Sequence, residues 1–404
     1  MPCLQAPSTR PVRPERHRDH HPKTQTEGRA THGKTAQARH GRRGRGAFIG
    51  AVHRIASRID DRWEVVAGAL SSDPERARAS AADLGIAPDR AYASWEEMAR
   101  AEAAREDGID AVAIVTPNHM HAGPAIAFLK AGIHVICDKP LAATSDQADA
   151  IAAAAREASA RFVLTHNYTG YPLIRQARAM IAAGELGEIR LVQAEYAQDW
   201  LTESVEATGN KQAAWRTDPA QAGAGALGDI GTHAFNLLSF VTGLRTEALL
   251  ADLQSFGPGR RVDDNAHVLL RLERGARGML WASQVAPGNE NGLRLRVYGT
   301  KGGLEWGQEN PNVMTFAPFG EPKRILTRGG AGLGGSSAQF TRIPPGHPEG
   351  YLEAFATLYA DAADLIAGTG DGALLPGIAD GLDGMWFISA CQRSSAAGGQ
   401  WVTR

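Results

Sequence analysis

Short apolar runs alternate with segments of helical periodicity from about residue 47 to residue 166, and this alternation constrains the fold more than any other feature. Runs such as WEVVAGAL (63–70) and IDAVAIVTP (109–117) lack the apolar–polar alternation of a half-exposed strand, so we expect each to be buried on both faces. Segments such as residues 121–132 separate these runs and read as helices that end at a glycine. Strands that alternate with helices over short loops predict a doubly wound parallel sheet with helices on both faces.

The pattern changes after about residue 166. Longer runs such as residues 189–200 and 267–273 alternate apolar with polar residues, and an amphipathic helix is predicted near residues 350–368. Alternation of this kind is typical of antiparallel sheets with one open face. The sequence therefore predicts an α/β domain at 44–165 and an α+β domain with a large, mostly antiparallel open sheet at 166–404.

Composition excludes several classes of partner. The net charge of −1 gives no basis for binding nucleic acid or an anionic membrane, and no apolar run approaches the ~18 residues of a membrane-spanning helix. The three cysteines, Cys3, Cys137 and Cys391, are odd in number and far apart, so no disulfide framework is predicted. We expect a cytoplasmic protein, because unpaired cysteines fit a reducing compartment.

The first 46 residues differ from the rest. They hold eleven Arg and Lys against three Asp and Glu, with few large apolar residues. Such a segment cannot bury enough apolar surface to offset the entropy of ordering, so we expect it to be disordered. A basic arm for nucleic acid is an alternative, although the segment lacks interleaved aromatic residues.

The first candidate for chemistry is Lys139, in the sequence DKP directly after the predicted strand at 133–137. Ligands of open α/β sheets gather outside the carboxyl ends of the strands, which is where Lys139 is expected. A surface ion pair with a neighbouring carboxylate remains the alternative.

The second candidate is the pair Asp229 and His233, spaced i and i+4, which share one face of a helix. A carboxylate one turn from an imidazole can orient it or bind a substrate beside it. The flanking glycines 225, 228 and 231 would let a ligand approach the backbone. The alternative is a helix-capping Asp229 and a histidine packed in the core. No His, Cys or carboxylate cluster has the spacing of metal ligands, so no metal is predicted.

These pieces together resemble the Gfo/Idh/MocA oxidoreductases, which include glucose–fructose oxidoreductase and inositol dehydrogenase. The resemblance rests on residues 116–142, which end in DKPLA, and on GALGDIGTHAFNL at 225–237, and it extends over residues 44–404. It implies a Rossmann domain, a carboxyl-terminal open-sheet domain, and nicotinamide-dependent oxidation of sugars or cyclic polyols. The family motif is usually Glu-Lys-Pro, whereas this chain has Asp138 in place of the glutamate.

The resemblance also implies catalytic roles. Lys139 would hydrogen-bond the reacting hydroxyl and stabilise alkoxide character, His233 would be the general base, and Asp229 would hold the substrate and bias His233. A lysine charge and an imidazole suit these tasks, while the cofactor supplies the hydride chemistry. A catalytically silent nucleotide-binding regulator of the same fold is the alternative function.

Cofactor choice depends on the end of the second predicted strand. Ser71 and Ser72 stand where NAD-preferring sites place an acid, and Arg76 follows one helical turn later, so a 2′-phosphate is permitted and the prediction is NAD(P). The other predicted cofactor-binding residues are the glycine turn and its helix (Gly44, Gly46, Phe48, Ile49, Gly50), the loop after the third strand (Thr116, Pro117, Asn118, His119), Asp138, Lys139 and Asn167.

Aromatic and polar side chains before the histidine helix are candidates for binding a sugar or cyclitol. The alternative for Tyr196 and Trp200 is packing into the sheet core. The residues predicted to stack on the sugar or bind its hydroxyls are Tyr196, Gln198, Trp200, Trp215 and Arg216. Because the open sheet needs a partner and relatives pair through it, a homodimer or homotetramer is expected.

The glycine turn lacks a suitable strand before it. The stretch KTAQARHGRR (34–43) would place charges in the sheet interior, so we expect that it cannot be the central strand. One possible GC-rich coding of this stretch, read one base later, gives Arg-Pro-Pro-Arg-Leu-Gly-Met-Val-Gly, which is very like the first strand of the family. Our hypothesis is that residues 1–43 are a non-native, out-of-frame translation, and that the chain as written binds its cofactor weakly.

Overall fold

The structure is a computed structural model, and it describes residues 33–38, 48–71, 73–208 and 211–404. Two sheets organise these residues, a parallel one in the amino-terminal half and a larger mixed one in the carboxyl-terminal half.

The first sheet has five parallel strands in the order β2-β1-β3-β4-β5, which confirms the predicted doubly wound α/β domain. Residues of β3 and β4 are almost all buried, as their continuous apolar runs predict. The strands are β1 (Gly33–Ala38), β2 (Trp63–Ala69), β3 (Ala111–Ile114), β4 (His134–Cys137) and β5 (Phe162–Leu164), and the helices are α1 (Phe48–Arg58), α2 (Pro74–Asp83), α3 (Trp95–Ala103), α4 (Ala122–Lys130) and α5 (Ser145–Glu157).

The prediction that residues 34–43 cannot supply the central strand is wrong for the part up to Ala38. β1 lies between β2 and β3, with Thr35 opposite Val65 on one side and Ala111 on the other. A parallel strand is held by main-chain hydrogen bonds, and the residues from Thr35 to Ala38 carry no charge. The arginines after β1 lie outside the described residues, so the argument from their charge does not apply to the strand itself.

The second sheet has nine strands in the order β13-β12-β11-β10-β6-β9-β8-β7-β14. All neighbouring pairs are antiparallel except β6 and β9, which are parallel, so the prediction of a mostly antiparallel sheet is confirmed. The strands are β6 (Ile189–Ala197), β7 (Thr246–Gln254), β8 (Asn265–Leu272), β9 (Arg277–Ser283), β10 (Gly292–Gly299), β11 (Gly302–Gly307), β12 (Val313–Pro318), β13 (Arg324–Thr327) and β14 (Val402–Thr403).

One face of this sheet is covered by helices and the other is open. On the open face, Leu191, Leu269, Met279 and Tyr298 are each 40–52% exposed, whereas Val192, Leu270 and Leu280, which follow three of them and point to the opposite face, are buried. The helices of this half are α6 (Pro172–Ala182), α7 (Lys211–Arg216), α8 (Pro219–Ala222), α9 (Thr232–Thr242), α10 (Gly335–Gln339), α11 (Tyr351–Ala367) and α12 (Ile378–Ala396).

Helix α11 returns to the first sheet. Phe355 and Tyr359 pack with Val52 of α1 and Ile136 of β4 in one apolar cluster, and the indole of Trp63 donates to the Tyr359 carbonyl at 2.8 Å. A late segment of the chain therefore completes the core of the early domain, and a division of the sequence at 165/166 stays a prediction.

Candidate functional site

The carboxyl ends of β3, β4 and β5 are adjacent and bring three loops to one edge of the parallel sheet. Thr116 follows β3, Lys139 follows β4, and His166 follows β5. This edge is where open α/β sheets bind ligands, and the sequence placed Lys139 there on that ground.

Lys139 and Asp229, 90 residues apart in the chain, meet at this edge. The ammonium of Lys139 donates to Oδ1 of Asp229 at 3.0 Å and to its backbone carbonyl at 2.5 Å. Oδ2 accepts from Arg216 Nε at 3.2 Å and from Gln284 Nε2 at 2.9 Å. Burial alone would raise the pKa of Asp229, but the charges of Lys139 and Arg216 and the hydrogen bonds hold that pKa well below its usual value. Asp229 is therefore ionised and can only accept hydrogen bonds.

A π-helical turn at Leu227–Gly231 carries Asp229 into α9, and single π turns are frequent at functional sites. The carboxylate of Asp263 accepts from the backbone N–H groups of Gly225, at 2.9 Å, and Leu227, at 2.6 Å. Asp263, and not Asp229, thus satisfies the backbone at the start of this segment, so the capping alternative for Asp229 is wrong. A Cβ on Gly225 would lie 1.8 Å from the Asp263 carbonyl, so this glycine accommodates the protein backbone rather than a ligand.

His233 lies on α9 and is buried. Its ring meets those of Tyr168 and His166 edge to face, with centroids 4.8 and 5.4 Å away. Burial first, and then the nearby charge of Lys139, lower the pKa of His233 well below 6.5, so the imidazole is neutral at pH 7 and can accept a proton. In the described part of the chain no hydrogen bond joins Asp229 to His233, so the implied bias of His233 by Asp229 is not a direct hydrogen bond.

Several buried polar atoms around Lys139 have no hydrogen-bond partner within the part of the chain that the structure describes. Buried polar groups are nearly always paired, and each unpaired one costs about 1–3 kcal/mol. A ligand that carries hydroxyl and amide groups would satisfy them, and the nicotinamide riboside and a polyol both carry such groups. These atoms are Thr116 Oγ1, His119 Nδ1, His166 Nδ1, Asn167 Nδ2 and His233 Nδ1.

A chain of side-chain amides extends from Asp229 into the second sheet. Gln284 Nε2 approaches Gln198 Oε1 at 3.4 Å, and Gln198 Nε2 donates to Asn291 Oδ1 at 2.9 Å. Asn291 Oδ1 also accepts from the Tyr196 hydroxyl at 2.7 Å, and Tyr196 pairs with the Tyr168 hydroxyl at 2.6 Å. Because Asp229 only accepts, it fixes the direction of every donor in this chain.

Sequence reasoning missed four members of this region: Tyr168, Asn291, Gln284 and His166. For Gln284 the signal becomes readable only once the pairing of the strands is known. Gln284 follows β9 and Gln198 follows β6, and β6 and β9 are the one parallel pair among the described strands of the second sheet. The strand-end rule that located Lys139 therefore applies to this pair as well.

The predicted substrate residues divide into two groups. Tyr196 is 4% exposed and its hydroxyl is bonded inside the protein, as expected for packing into the sheet. Gln198, Trp200, Trp215 and Arg216 remain partly accessible near Asp229. The Trp200 indole donates to Gln198 at 3.1 Å, and the Arg216 guanidinium stacks on the Trp215 ring at 4.3 Å.

The loops on the predicted cofactor side are held by specific contacts. Asn118 begins a short 3-10 turn directly after Pro117. Its side-chain Nδ2 donates to the Ala222 carbonyl at 3.1 Å. Asp138 Oδ1 accepts from the Lys139 backbone N–H and from the Thr165 hydroxyl, both at 3.0 Å. The shorter Asp138 therefore still makes a contact with the backbone.

At the adenosine end, Ser71 is buried and accepts from the Asp73 backbone N–H at 3.1 Å. Asp73 caps α2 through the Arg76 backbone N–H and forms a 3.6 Å ion pair with the Arg76 side chain. Of the residues predicted at the glycine turn, Phe48 is exposed, Ile49 half-buried and Gly50 buried. Gly44, Gly46 and Ser72 lie outside the described residues.

Two absences hold for the residues described by the structure. No helix among them combines the length and the apolar character needed to cross a membrane. No group of three or more His, Cys, Asp or Glu side chains in the same residues is arranged to hold a metal ion.

Comparisons with known proteins identify the family. The profile described as "Oxidoreductase family, NAD-binding Rossmann fold" matches residues 44–176, and the GFO/IDH/MocA C-terminal domain matches residues 174–305.

Individual relatives match over nearly the whole chain. An oxidoreductase from Sinorhizobium meliloti is 55% identical, with a TM-score of 0.84 over 92% of this chain and 100% of its own. An inositol dehydrogenase homologue from Azotobacter vinelandii, solved with NADH and myo-inositol, is 39% identical, with a TM-score of 0.85 over 93% and 98%. Uncharacterized oxidoreductase YfiI of Bacillus subtilis (strain 168) is 35% identical over 89% of this chain and 94% of its own. With its NAD-binding Rossmann domain and its open-sheet domain, the chain belongs to the Gfo/Idh/MocA family of oxidoreductases.

Proposed function

We propose that this protein transfers hydride between NAD(P) and a hydroxyl-bearing carbon of a sugar or cyclic polyol. One observation carries the proposal. The ammonium of Lys139, bonded to an ionised Asp229, lies beside a neutral, buried His233, at the sheet edge where five buried polar atoms have no partner among the described residues.

In this proposal the side chains manage the proton and the developing charge. Lys139 donates a hydrogen bond to the reacting hydroxyl and stabilises its alkoxide character, and the neutral imidazole of His233 accepts the proton. Asp229 keeps Lys139 in place and, through its remaining acceptor capacity, holds a second substrate hydroxyl. The nicotinamide supplies the hydride-accepting carbon when it is bound.

Cofactor residues follow from the same edge of the sheet. Thr116 Oγ1, His119 Nδ1 and Asn167 Nδ2 are buried and unpartnered among the described residues, and they fit the ribose and carboxamide of a nicotinamide nucleotide. Ser71 and the half-exposed Arg76 leave room for a 2′-phosphate at the adenosine end, so both NAD and NADP are admitted.

The substrate class follows from the accessible polar groups. Gln198, Trp200 and Arg216 offer amide, indole and guanidinium groups that suit a ring with several hydroxyls. The similar protein solved with myo-inositol supports this class.

The test is a reduction screen of purified protein with NAD and NADP against inositols, free sugars and anhydro-sugars, read by the fluorescence of the reduced cofactor. Turnover with at least one cyclic polyol or sugar is expected, and it should be lost in Lys139→Ala and His233→Ala. Binding of NADH without turnover of any substrate would favour the silent regulator and contradict the proposal.

Two further expectations belong to this function. The open sheet face, with Leu191, Leu269 and Met279 exposed, supports assembly into a homodimer or homotetramer, which light scattering of the purified protein tests. Cys137 and Cys391 are buried and unpaired, which supports a reducing, cytoplasmic location.

The hypothesis about residues 1–43 stays a prediction. The Rossmann profile match begins at residue 44, directly after the inferred change of frame, and this supports the hypothesis. Resequencing of the 5′ end of the gene tests it, because an unbroken frame through codons 30–50 would contradict it. Because β1 supplies the central strand, the expectation of weak cofactor binding, which rested on a missing strand, no longer has a basis.

A further inference from the structure

His166 is a buried imidazole at the site that the proposed reaction does not use. It follows β5 directly and is 3% exposed. Its ring lies 5.4 Å from that of His233, at an interplanar angle of 85°. It is close enough to Lys139 for the lysine charge, after burial, to help lower the pKa of His166 to about 3. The imidazole is therefore neutral throughout the ordinary working range.

Neither ring nitrogen of His166 has a hydrogen-bond partner among the residues that the structure describes, and Nδ1 is buried. An apolar side chain of similar size, such as leucine, would fill the position without the cost of an unpaired buried nitrogen. Packing alone therefore does not account for an imidazole here, and a polar ligand group does.

The neighbours of His166 define what that group is. His233 and Lys139 together address the reacting hydroxyl, and the edge of His166 meets the ring of His233. Because the centroids of the two imidazoles are only 5.4 Å apart, a hydroxyl next to the one that His233 addresses is the nearest second hydroxyl of the same substrate ring for His166 to bind. A neutral imidazole offers one donor and one acceptor, which matches the donor and acceptor of a hydroxyl group.

We propose that His166 is a specificity-determining residue that hydrogen-bonds the substrate hydroxyl vicinal to the one being oxidised. The proposal rests on the proposed function, because it assumes that Lys139 and His233 act on a polyol. It restricts the substrates to those with an adjacent pair of hydroxyl groups at the reacting position.

The experiment pairs a protein group with a substrate group. Wild type and His166→Phe are assayed with the better substrate of myo-inositol and levoglucosan, and with its two analogues that lack the hydroxyl on either side of the oxidised carbon. In wild type, one of the analogues should lose about 10- to 100-fold in kcat/KM, because a site built to bind a hydroxyl rejects the analogue that lacks it. In His166→Phe that discrimination should fall to about threefold or less, because the parent substrate and the analogue that keeps the bound hydroxyl lose activity, whereas the analogue that lacks this hydroxyl does not.

Two controls separate this role from a structural one. His347→Gln, at an exposed histidine, should keep the full discrimination. His166→Asn or His166→Gln, which each replace one ring nitrogen by an amide nitrogen, should recover part of it. The melting temperature and the Kd of NADH are measured for every variant, to show that the fold and the cofactor site persist.

Equal losses on the parent substrate and both analogues would overturn the proposal. So would a change confined to the Kd of NADH, because His166 would then contact the cofactor. Failure of the proposed function itself is distinguishable, since wild type would then show no turnover with any polyol.

Discussion

Two buried polar clusters look alike at first, one inside the Rossmann half and one where Lys139 of that half meets Asp229 and His233 of the second half, and they differ in which polar atoms remain unpaired. In the first, Arg90 forms a two-pronged ion pair with Glu102, at 3.0 and 2.5 Å, and Tyr92 donates to the same carboxylate at 2.8 Å. In the second, the Lys139–Asp229 pair is also close and shielded, but the imidazoles of His166 and His233 beside it have buried nitrogens without partners in the described chain.

The presence or absence of unpaired polar atoms distinguishes a buried charge pair of a candidate site from one that only stabilises the fold. The Arg90–Glu102 pair completes its own hydrogen bonds and joins parts of one domain, so its role ends with the fold. The Lys139 cluster leaves buried polar atoms without partners among the described residues, and a bound ligand would offset the cost of burying them. Such a cost is expected where function and stability compete.

The largest effect should come from the reacting groups. In Lys139→Met and His233→Gln, we expect kcat/KM to fall by about 10²–10⁴-fold, because each change removes a group that acts on the proton or the alkoxide. The melting temperature should stay within a few degrees of wild type. Lys130→Met, at an exposed lysine of α4, is the matched control. Retained activity in both site variants would show that the Lys139 cluster does not act in catalysis.

The opposite pattern is expected at the first cluster. Glu102→Gln removes the buried counter-charge of Arg90 and leaves only the more exposed Asp107, at 3.5 Å, which should lower the free energy of unfolding by about 3 kcal/mol in denaturant titrations. Turnover per folded molecule should remain unchanged. Glu157→Gln, at an exposed end of α5, should change neither quantity. If the fully folded Glu102→Gln protein lost turnover, the Arg90–Glu102 cluster would contribute to function as well as to stability.

Acid should lower the free energy of unfolding through the buried histidines of the second cluster. The pKa of His166 is about 3 in the fold against 6.5 for a free histidine, so between these values the unfolded chain binds a proton that the folded chain does not. Stability is therefore complete above about pH 6.5, and it falls as the pH drops, by about 1.4 kcal/mol per pH unit for each such group. His166→Asn should reduce that slope by one proton, whereas His347→Gln should not. An unchanged slope in His166→Asn would contradict the buried neutral state.

The smallest effect concerns the cofactor. Arg76→Ala should raise the KM for NADP about threefold and leave the KM for NAD unchanged, because a half-exposed charge contributes little to binding in water. Arg78→Ala, two residues along the same helix and exposed, is the control. An equal change for both cofactors would show that Arg76 does not contact the 2′ position.

Much of this molecule follows from local patterns in its sequence. The strand–helix alternation predicted the parallel sheet, because this signal depends on neighbours a few residues apart. The rule that ligands bind at the carboxyl ends of strands predicted the position of Lys139. The i,i+4 spacing predicted that Asp229 and His233 belong to the same helical segment. The charge argument against β1 failed, because it extended the arginines that follow the strand into the strand itself.

The tertiary structure alone decided how the distant pieces meet. It assigned the capping of the Asp229 segment to Asp263, joined Asp229 to Gln284, and placed α11 on the first sheet. It also brought His166 against His233, two residues that share no local pattern. Such contacts depend on the packing of elements far apart in the chain, and periodicity and spacing carry no information about that packing. The sequence by itself determined the fold class and the principal catalytic candidates, and the packing of the two sheets decided which buried groups remain available to a ligand.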